Sequence, residues 1–96
     1  MMVNIDRNRS THRLKVEGEM TIVNAIEMKN ALLDGLKDCS EVEVDLSNVS
    51  DFDTAGLQLL LLLKLTAQKL KKGFRIVAQS ESTMRAIKLF QMEEEL

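Results

Sequence analysis

The sequence predicts a two-layer α/β fold with the element order ββαβαβα, a mixed four-stranded sheet and helices mainly on one face. Two observations carry that prediction. Four segments alternate apolar and polar residues at period two, three others repeat apolar residues at helical spacing, and the two kinds interleave after an initial pair of strands. Parallel strands covered on both faces run as continuous apolar stretches, whereas these alternate, so one face of the sheet is left to water. Two right-handed crossovers stepping the same way place their helices on one side, in agreement with a single covered face.

The first strands are "VNI", with Val3 and Ile5, and "RLKVEGE", with Leu14 and Val16 set against Arg13, Lys15 and Glu17; the polar "DRNRSTH" between them reads as their turn. A helix follows in "VNAIEMKNALLDGLKDC". Asn24 is its expected cap, Glu27 completes a capping box, Val23 staples against Met28, and Met28, Leu32 and Leu36 form its buried stripe. In "EVEVDLS", Val42, Val44 and Leu46 take one face and Glu41, Glu43 and Asp45 the other. The second helix starts near Thr54 and stops before Gly73, expected as the left-handed closing residue, with Lys69, Lys71 and Lys72 complementing its dipole. "FRIVAQ" is the last strand. The last helix runs from about Ser82 to Gln91 and carries Met84, Ile87 and Phe90, and the terminal "EEEL" frays. Lys15, Glu43 and Arg75 are expected side by side on the wet face.

The 96 residues, 45% hydrophobic and 29% charged, suit one compact domain over residues 1–96 that buries a core without metal or disulfide. A net charge of -2 with no basic block gives no footprint for nucleic acid or an anionic membrane surface. Cys39, the single cysteine, makes no internal disulfide. "NIDRNRSTHR" stands where a secretory peptide needs an apolar stretch of about 7–15 residues, and the leucine run falls short of the roughly 20 residues that span a bilayer. The expected compartment is cytoplasmic. His12, in a polar turn, and Cys39, at a helix end, are read as inert, and the spacing of residues points to no metal site and no cofactor.

The stretch "SDFDTAGLQLLLLLKL" (50–65) carries the functional signal. At about 100° per residue its helix sorts into two apolar faces. Gly56, Leu59, Leu60, Leu63, Ala67 and Leu70 share the arc assigned to the sheet. Thr54, Leu57, Leu61 and Leu65 lie opposite, near Gln58, Gln68 and Lys72. An apolar row headed by a modifiable hydroxyl suits a switchable docking surface. Asp53 and Thr54 are both candidate caps. A phosphate on Thr54 would meet free N–H groups and the positive end of the helix, while Asp51 and Asp53 would repel it.

"VEGEMTIVNAIEMKNALLDGL", "VEVDLSNVSDFDTAGLQLLLLLKLTAQKLKKG" and "FRIVAQSESTMRAIKLF" together resemble the STAS domain of bacterial anti-sigma factor antagonists over nearly the whole chain. In that family a strand ends in an Asp-x-Ser pattern, here "DLSNVSDFD", and a Ser or Thr follows that a partner kinase phosphorylates, then a small residue and "GL". The resemblance sets Thr54 at the phosphorylated position, with Asp53 before it and Gly56 and Leu57 after it. It implies a non-enzymatic module whose unmodified form captures an anti-sigma kinase or related regulatory ATPase and whose phosphorylation releases it. The sequence departs from the antagonists in having threonine followed by Ala55, and Thr21 where aspartate is more frequent. It is as similar to the STAS subunit of bacterial lipid-transport ABC systems and to STAS proteins of chemotaxis clusters, which implies the alternative of a standing interface around unmodified Thr54. The expected contacts are Asp51, Asp53, Thr54, Leu57, Gln58 and Leu61, with pairing to a second copy left open. "DFDTA" is also similar to the nucleophile loop of haloacid-dehalogenase-like phosphatases, but its threonine falls one place early.

Overall fold

The first structural fact is a hairpin: β1 (Met2–Asn8) and β2 (Thr11–Met20) pair antiparallel through the two-residue connection Arg9–Ser10. Arg9 takes a positive φ of 55°, which lets so short a turn reverse the chain. The computed structural model describes residues 2–96. The strands thus run closer to the turn than the polar sequence "DRNRSTH" suggests, and His12 lies in β2. Its side chain is 2% exposed, on the inward face with Leu14 and Val16, and its Nδ1 sits 3.0 Å from the Gly35 carbonyl oxygen.

A short 3-10 turn, Ile22–Asn24, leads into α1 (Ala25–Asp34), followed by β3 (Glu41–Phe52), α2 (Thr54–Lys69), β4 (Gly73–Gln79) and α3 (Glu81–Leu89). The sheet order is β1-β2-β3-β4, with β2, β3 and β4 parallel. This is the mixed four-stranded α/β arrangement that the periodicity predicts. Leu14 and Val16 of β2 and Val42, Val44 and Leu46 of β3 meet Met28 and Leu32 of α1 and Leu60 and Leu63 of α2 in one core. Fully burying each such side chain contributes about 1.5–3 kcal/mol.

β3 is longer than its alternating part because its register shifts. Lys15 opposes Asp45 but Glu17 opposes Asn48, and Gly18 opposes Val49 where Glu19 opposes Asp51. Two extra residues are thereby absorbed on β3 as bulges, which reset which side chains face in. Val49 is buried where strict alternation from Leu46 would bury Asn48. Gly18 supplies a φ of 93° at the second shift, a conformation that suits a residue without Cβ. The Asp45 carboxylate accepts from the Ser47 hydroxyl at 2.6 Å and from its amide at 2.9 Å. These bonds hold the Asp45 carboxyl below the usual range.

Several local expectations give way to other devices. Asn24 makes no capping bond at α1; its side-chain amide donates to the Glu19 carbonyl at 3.1 Å. Val23 is exposed and cannot staple to the buried Met28. Lys71, not Gly73, is the left-handed residue after α2, with φ 59°. The amides of Lys72 and Lys71 donate to Ala67 and Gln68 carbonyls at 2.8 and 3.0 Å, a Schellman closure. Leu70, assigned to the sheet-facing arc, is therefore exposed past the helix end. The Lys72 ammonium donates to the Leu36 carbonyl, so this cation serves the end of the α1 segment. In α3 the buried residues are Thr83, Ala86 and Ile87, while Met84 and Phe90 are exposed. The terminal segment does not splay: Leu96 packs against the core and the Lys64 ammonium donates to the Glu95 carbonyl at 2.5 Å.

On the open sheet face, strand register puts Asp6 opposite Arg13, Arg13 opposite Glu43, and Glu43 opposite Arg75. Arg13, not Lys15, is thus the partner of Glu43, at 3.0 Å, with Arg75 on its other oxygen. Lys15 lies one rung along, opposite Asp45. Hydrogen bonds from Arg13 and then Arg75 hold the Glu43 carboxyl below its ordinary 4.5. Its stabilising contribution is complete above that value and fades as pH falls through the lowered folded value. Glu43→Gln is therefore expected to lower stability at neutral pH and to converge on the wild type in strong acid, as read by urea denaturation at the two pH values. Gly56 in the first turn of α2 has a tighter constraint: a Cβ there would lie 2.4 Å from the Met20 carbonyl oxygen and 3.0 Å from the Phe52 ring. Gly56→Ala is expected to destabilise by about 1–3 kcal/mol through overpacking, despite the roughly 1 kcal/mol that alanine gains in helix propensity. A variant as stable as the wild type in urea would contradict that close approach.

Candidate functional site

The start of α2 is organised by Asp53. Its backbone is extended, and its Oδ1 accepts from the amides of Ala55 at 2.9 Å and Gly56 at 3.2 Å. Its Oδ2 accepts from the Ile22 amide at 3.1 Å. A single carboxylate thus caps the helix and ties the β2–α1 connection to it. With two candidate caps in the sequence, the geometry selects Asp53 as the cap. Thr54 is the first helical residue, exposed, and its side chain takes no part in that capping.

This arrangement changes what a phosphate at Thr54 would meet. The amides of Ala55 and Gly56 are already occupied by Asp53, so they are not free to receive it. The available cation comes instead from α3. Asp51, Asp53 and Thr54 line an open groove of about 470 Å³ whose other wall holds Ser82, Arg85 and Leu89. Arg85 is paired with Glu81 at 2.5 Å, both side chains well exposed. The Ser82 hydroxyl donates to the Ser50 carbonyl at 2.8 Å and the Ser80 amide to the Leu46 carbonyl at 3.0 Å, which fixes α3 against the end of β3.

The six expected contact residues do not form one exposed row. Asp51, Thr54 and Gln58 are exposed, and Asp53 and Leu61 are half-buried. Leu57 is 8% exposed, so its side chain belongs to the internal packing and offers little to a partner. The outward apolar positions of α2 are Leu61, Leu62 and Leu65. A position four residues before Leu61 lies on the same helical stripe, yet it is buried while Leu61 is half-buried. Sequence reasoning missed Ser82, Arg85 and Leu89, because nothing in the local pattern of α3 shows that it borders the start of α2. Phe90, which the sequence shows only as one of the apolar residues of the last helix, is another groove residue. No helix among the described residues is long and apolar enough to cross a membrane.

The family model described as "Mlab, STAS domain" matches residues 3–96, and the chain belongs to the STAS domain family. Among solved structures, an anti-sigma factor antagonist from Mycobacterium paratuberculosis superimposes with a TM-score of 0.85 at 24% identity, over 97% of this chain and 80% of that one. The anti-sigma factor antagonist SpoIIAA in its unphosphorylated form gives 0.74 at 12% identity, over 97% and 84%. The Bacillus cell fate determinant SpoIIAA in its phosphorylated form gives 0.70 at 18% identity, over 95% and 82%. At these identities the likeness establishes the fold.

The division of labour between neighbours is directly testable. Asp53→Ala removes the cap and the Ile22 tie and is expected to cost about 1–2 kcal/mol. Thr54→Ala is expected to stay within about 0.5 kcal/mol of the wild type. Equal losses for the two variants in chemical denaturation would mean that the threonine shares the capping.

Proposed function

We propose that this chain is a non-enzymatic regulatory module that binds a protein partner through the start of α2 and the adjoining groove, and that phosphorylation of Thr54 releases the partner. The partner class is an anti-sigma factor or serine/threonine kinase-like protein, or another regulatory ATPase. The observation that carries this reading is the separation of roles at the helix start: Asp53 does the structural work, and the exposed Thr54 hydroxyl is left for other uses. Membership of the STAS family supports the binding reading. The fold it shares with an antagonist solved in unphosphorylated and phosphorylated forms supports the switch.

A dianion on Thr54 would stand beside Asp51 and Asp53 and face Arg85 across the groove. Repulsion from the first two keeps it outside the helix cap. Arg85, whose pairing with Glu81 is exposed and weak, can turn to it with a charge-assisted hydrogen bond. The expected result is a recharged groove on an unchanged fold. Asp51, Gln58 and Leu61 supply the remaining contacts and, with Asp53, the local sequence that a kinase reads.

A second reading, a standing subunit of a lipid-transport ABC or chemotaxis-associated complex, is favoured by the occupied helix amides and the two flanking carboxylates, which make the site a poor host for phosphate. One experiment separates the two. Thr54→Glu is expected to reduce binding to a copurifying ATPase by about tenfold or more with the thermal midpoint nearly unchanged, and ATP with a competent kinase is expected to dissolve the wild-type complex. A complex that survives both treatments supports the standing subunit.

A further inference from the structure

Among the described residues the sheet ends in β1 on one side and β4 on the other, and the two edges differ. The Ser10 carbonyl accepts from the Glu41 amide at 3.0 Å. Backbone groups alternate in direction along a strand, so Ser10, His12 and Leu14 turn theirs to β3, and Thr11, Arg13 and Lys15 turn theirs to β1. The register pairs the latter with Asn8, Asp6 and Asn4. Val3, Ile5 and Arg7 therefore direct their amides and carbonyls outward, along a strand whose register runs without a shift from Met2 to Asn8.

Such a row of donors and acceptors is a template for another strand. β4 is guarded against this use. Val44 opposes Ile76 but Asp45 opposes Ala78, so a bulge at Val77 interrupts the outward row of that edge. β1 carries no proline, glycine or bulge. Its inward-facing charge, Arg7 opposite His12, is already paired with Asp34 at 3.1 Å.

β1 also complements itself. A twofold axis normal to the sheet at Ile5 sets β1 antiparallel to the same strand of a second copy, with the helices of both copies on one side. Ile5 then meets Ile5 of the second copy and Val3 meets Arg7 of the second copy, so every outward-directed residue faces another. On the helix side the half-buried Val3 and Ile5 carry the two cores toward each other. On the open face Asn4 meets Asp6 of the second copy, an amide donor against a carboxylate. Centring the pair on Asp6 would oppose like charges, and centring it on Asn4 would leave Arg7 beyond the paired residues. This match of charge and hydrogen bonding selects a second copy as the occupant.

We infer that the chain forms a homodimer by antiparallel pairing of β1 with β1, a continuous sheet that stops at the guarded β4 edges. β2 separates β1 from β3 and the start of α2, so both Thr54 grooves stay open. One strand edge buries less than the roughly 1,600 Å² of a standard interface, and the dissociation constant is accordingly of the order of 100 µM.

The test is sedimentation velocity on the whole chain between about 10 µM and about 1 mM, a range that brackets this affinity. The wild type is expected to pass from monomer to dimer and no further. Arg7→Pro removes an outward amide without touching a β1–β2 bond and is expected to weaken the dimer roughly tenfold or more. Asn4→Asp keeps Lys15 opposite it in its own sheet but meets Asp6 of the second copy. It is expected to weaken the dimer roughly threefold or more, and Asn4→Lys to strengthen it by a similar factor. Leu65→Ser and Thr54→Glu are expected to leave it unchanged, so failure of the Thr54 switch and failure of this surface are separate results. Should Arg7→Pro melt early, the opposed Asn4 variants carry the test by themselves. A monomer throughout the range would overturn the inference. So would a dimer indifferent to the Asn4 variants, a dimer lost in Leu65→Ser, or growth beyond the dimer.

Discussion

The carboxylate of Asp53 holds together the part of the molecule where function is expected. One oxygen takes two amides of the first turn of α2, and the other takes the Ile22 amide from the connection between β2 and α1. Three donors on an acceptor with room for about four leave it nearly saturated, so the loop and the helix are placed by the same group. The approach is close because Gly56, with no Cβ, lets α2 come down onto the Met20 carbonyl. A bulkier residue there would lift the helix and lengthen the Asp53 bonds together.

With the helix start settled in this way, the rest of α2 follows from the geometry of a rod lying on a sheet. Gly56, Leu59, Leu60, Leu63 and Ala67 go inward. The leucine run is therefore a core face and an outer face side by side, and the outer face begins at a hydroxyl that no structural requirement consumes. The bulges in β3 matter here as well. By absorbing two residues against β2 they carry Phe52 and Asp53 to the position beside Met20 where the cap can form, and the Asp45–Ser47 bonds brace the strand where the first shift occurs.

The two sides of the sheet use charge differently. On the open face Asp6, Arg13, Glu43 and Arg75 alternate in sign across all four strands, which lets this row of a single-covered sheet face water with opposite charges in register. Near the start of α2 the charges are less balanced: Glu19 and Asp51 are in register at the ends of β2 and β3, Asp53 bonds the Ile22 amide, Glu27 follows Ile26, and Ile22, Val23 and Ile26 are exposed. A surface built for solvation alone would have little reason to combine exposed aliphatics with one sign of charge. That contrast directs attention to the region as a place for partners.

Alternation at period two and at helical spacing determined the element order, the mixed sheet and its single wet face, because those depend on which residues avoid water. It determined the inward stripe of α1 and most of that of α2 for the same reason. Short-range capping rules were less dependable: Asn24 and Gly73 are suitable residue types, but a cap or a left-handed closure goes to whichever group the packing brings within reach, here none for α1 and Lys71 for α2. Only the tertiary structure could choose between Asp53 and Thr54, bury His12 and Leu57, bring Arg85 across from α3, or pair Glu43 with Arg13. Each of those depends on register or on the docking of segments distant in the chain, and distances between such segments are not encoded in the spacing of residues along any one of them.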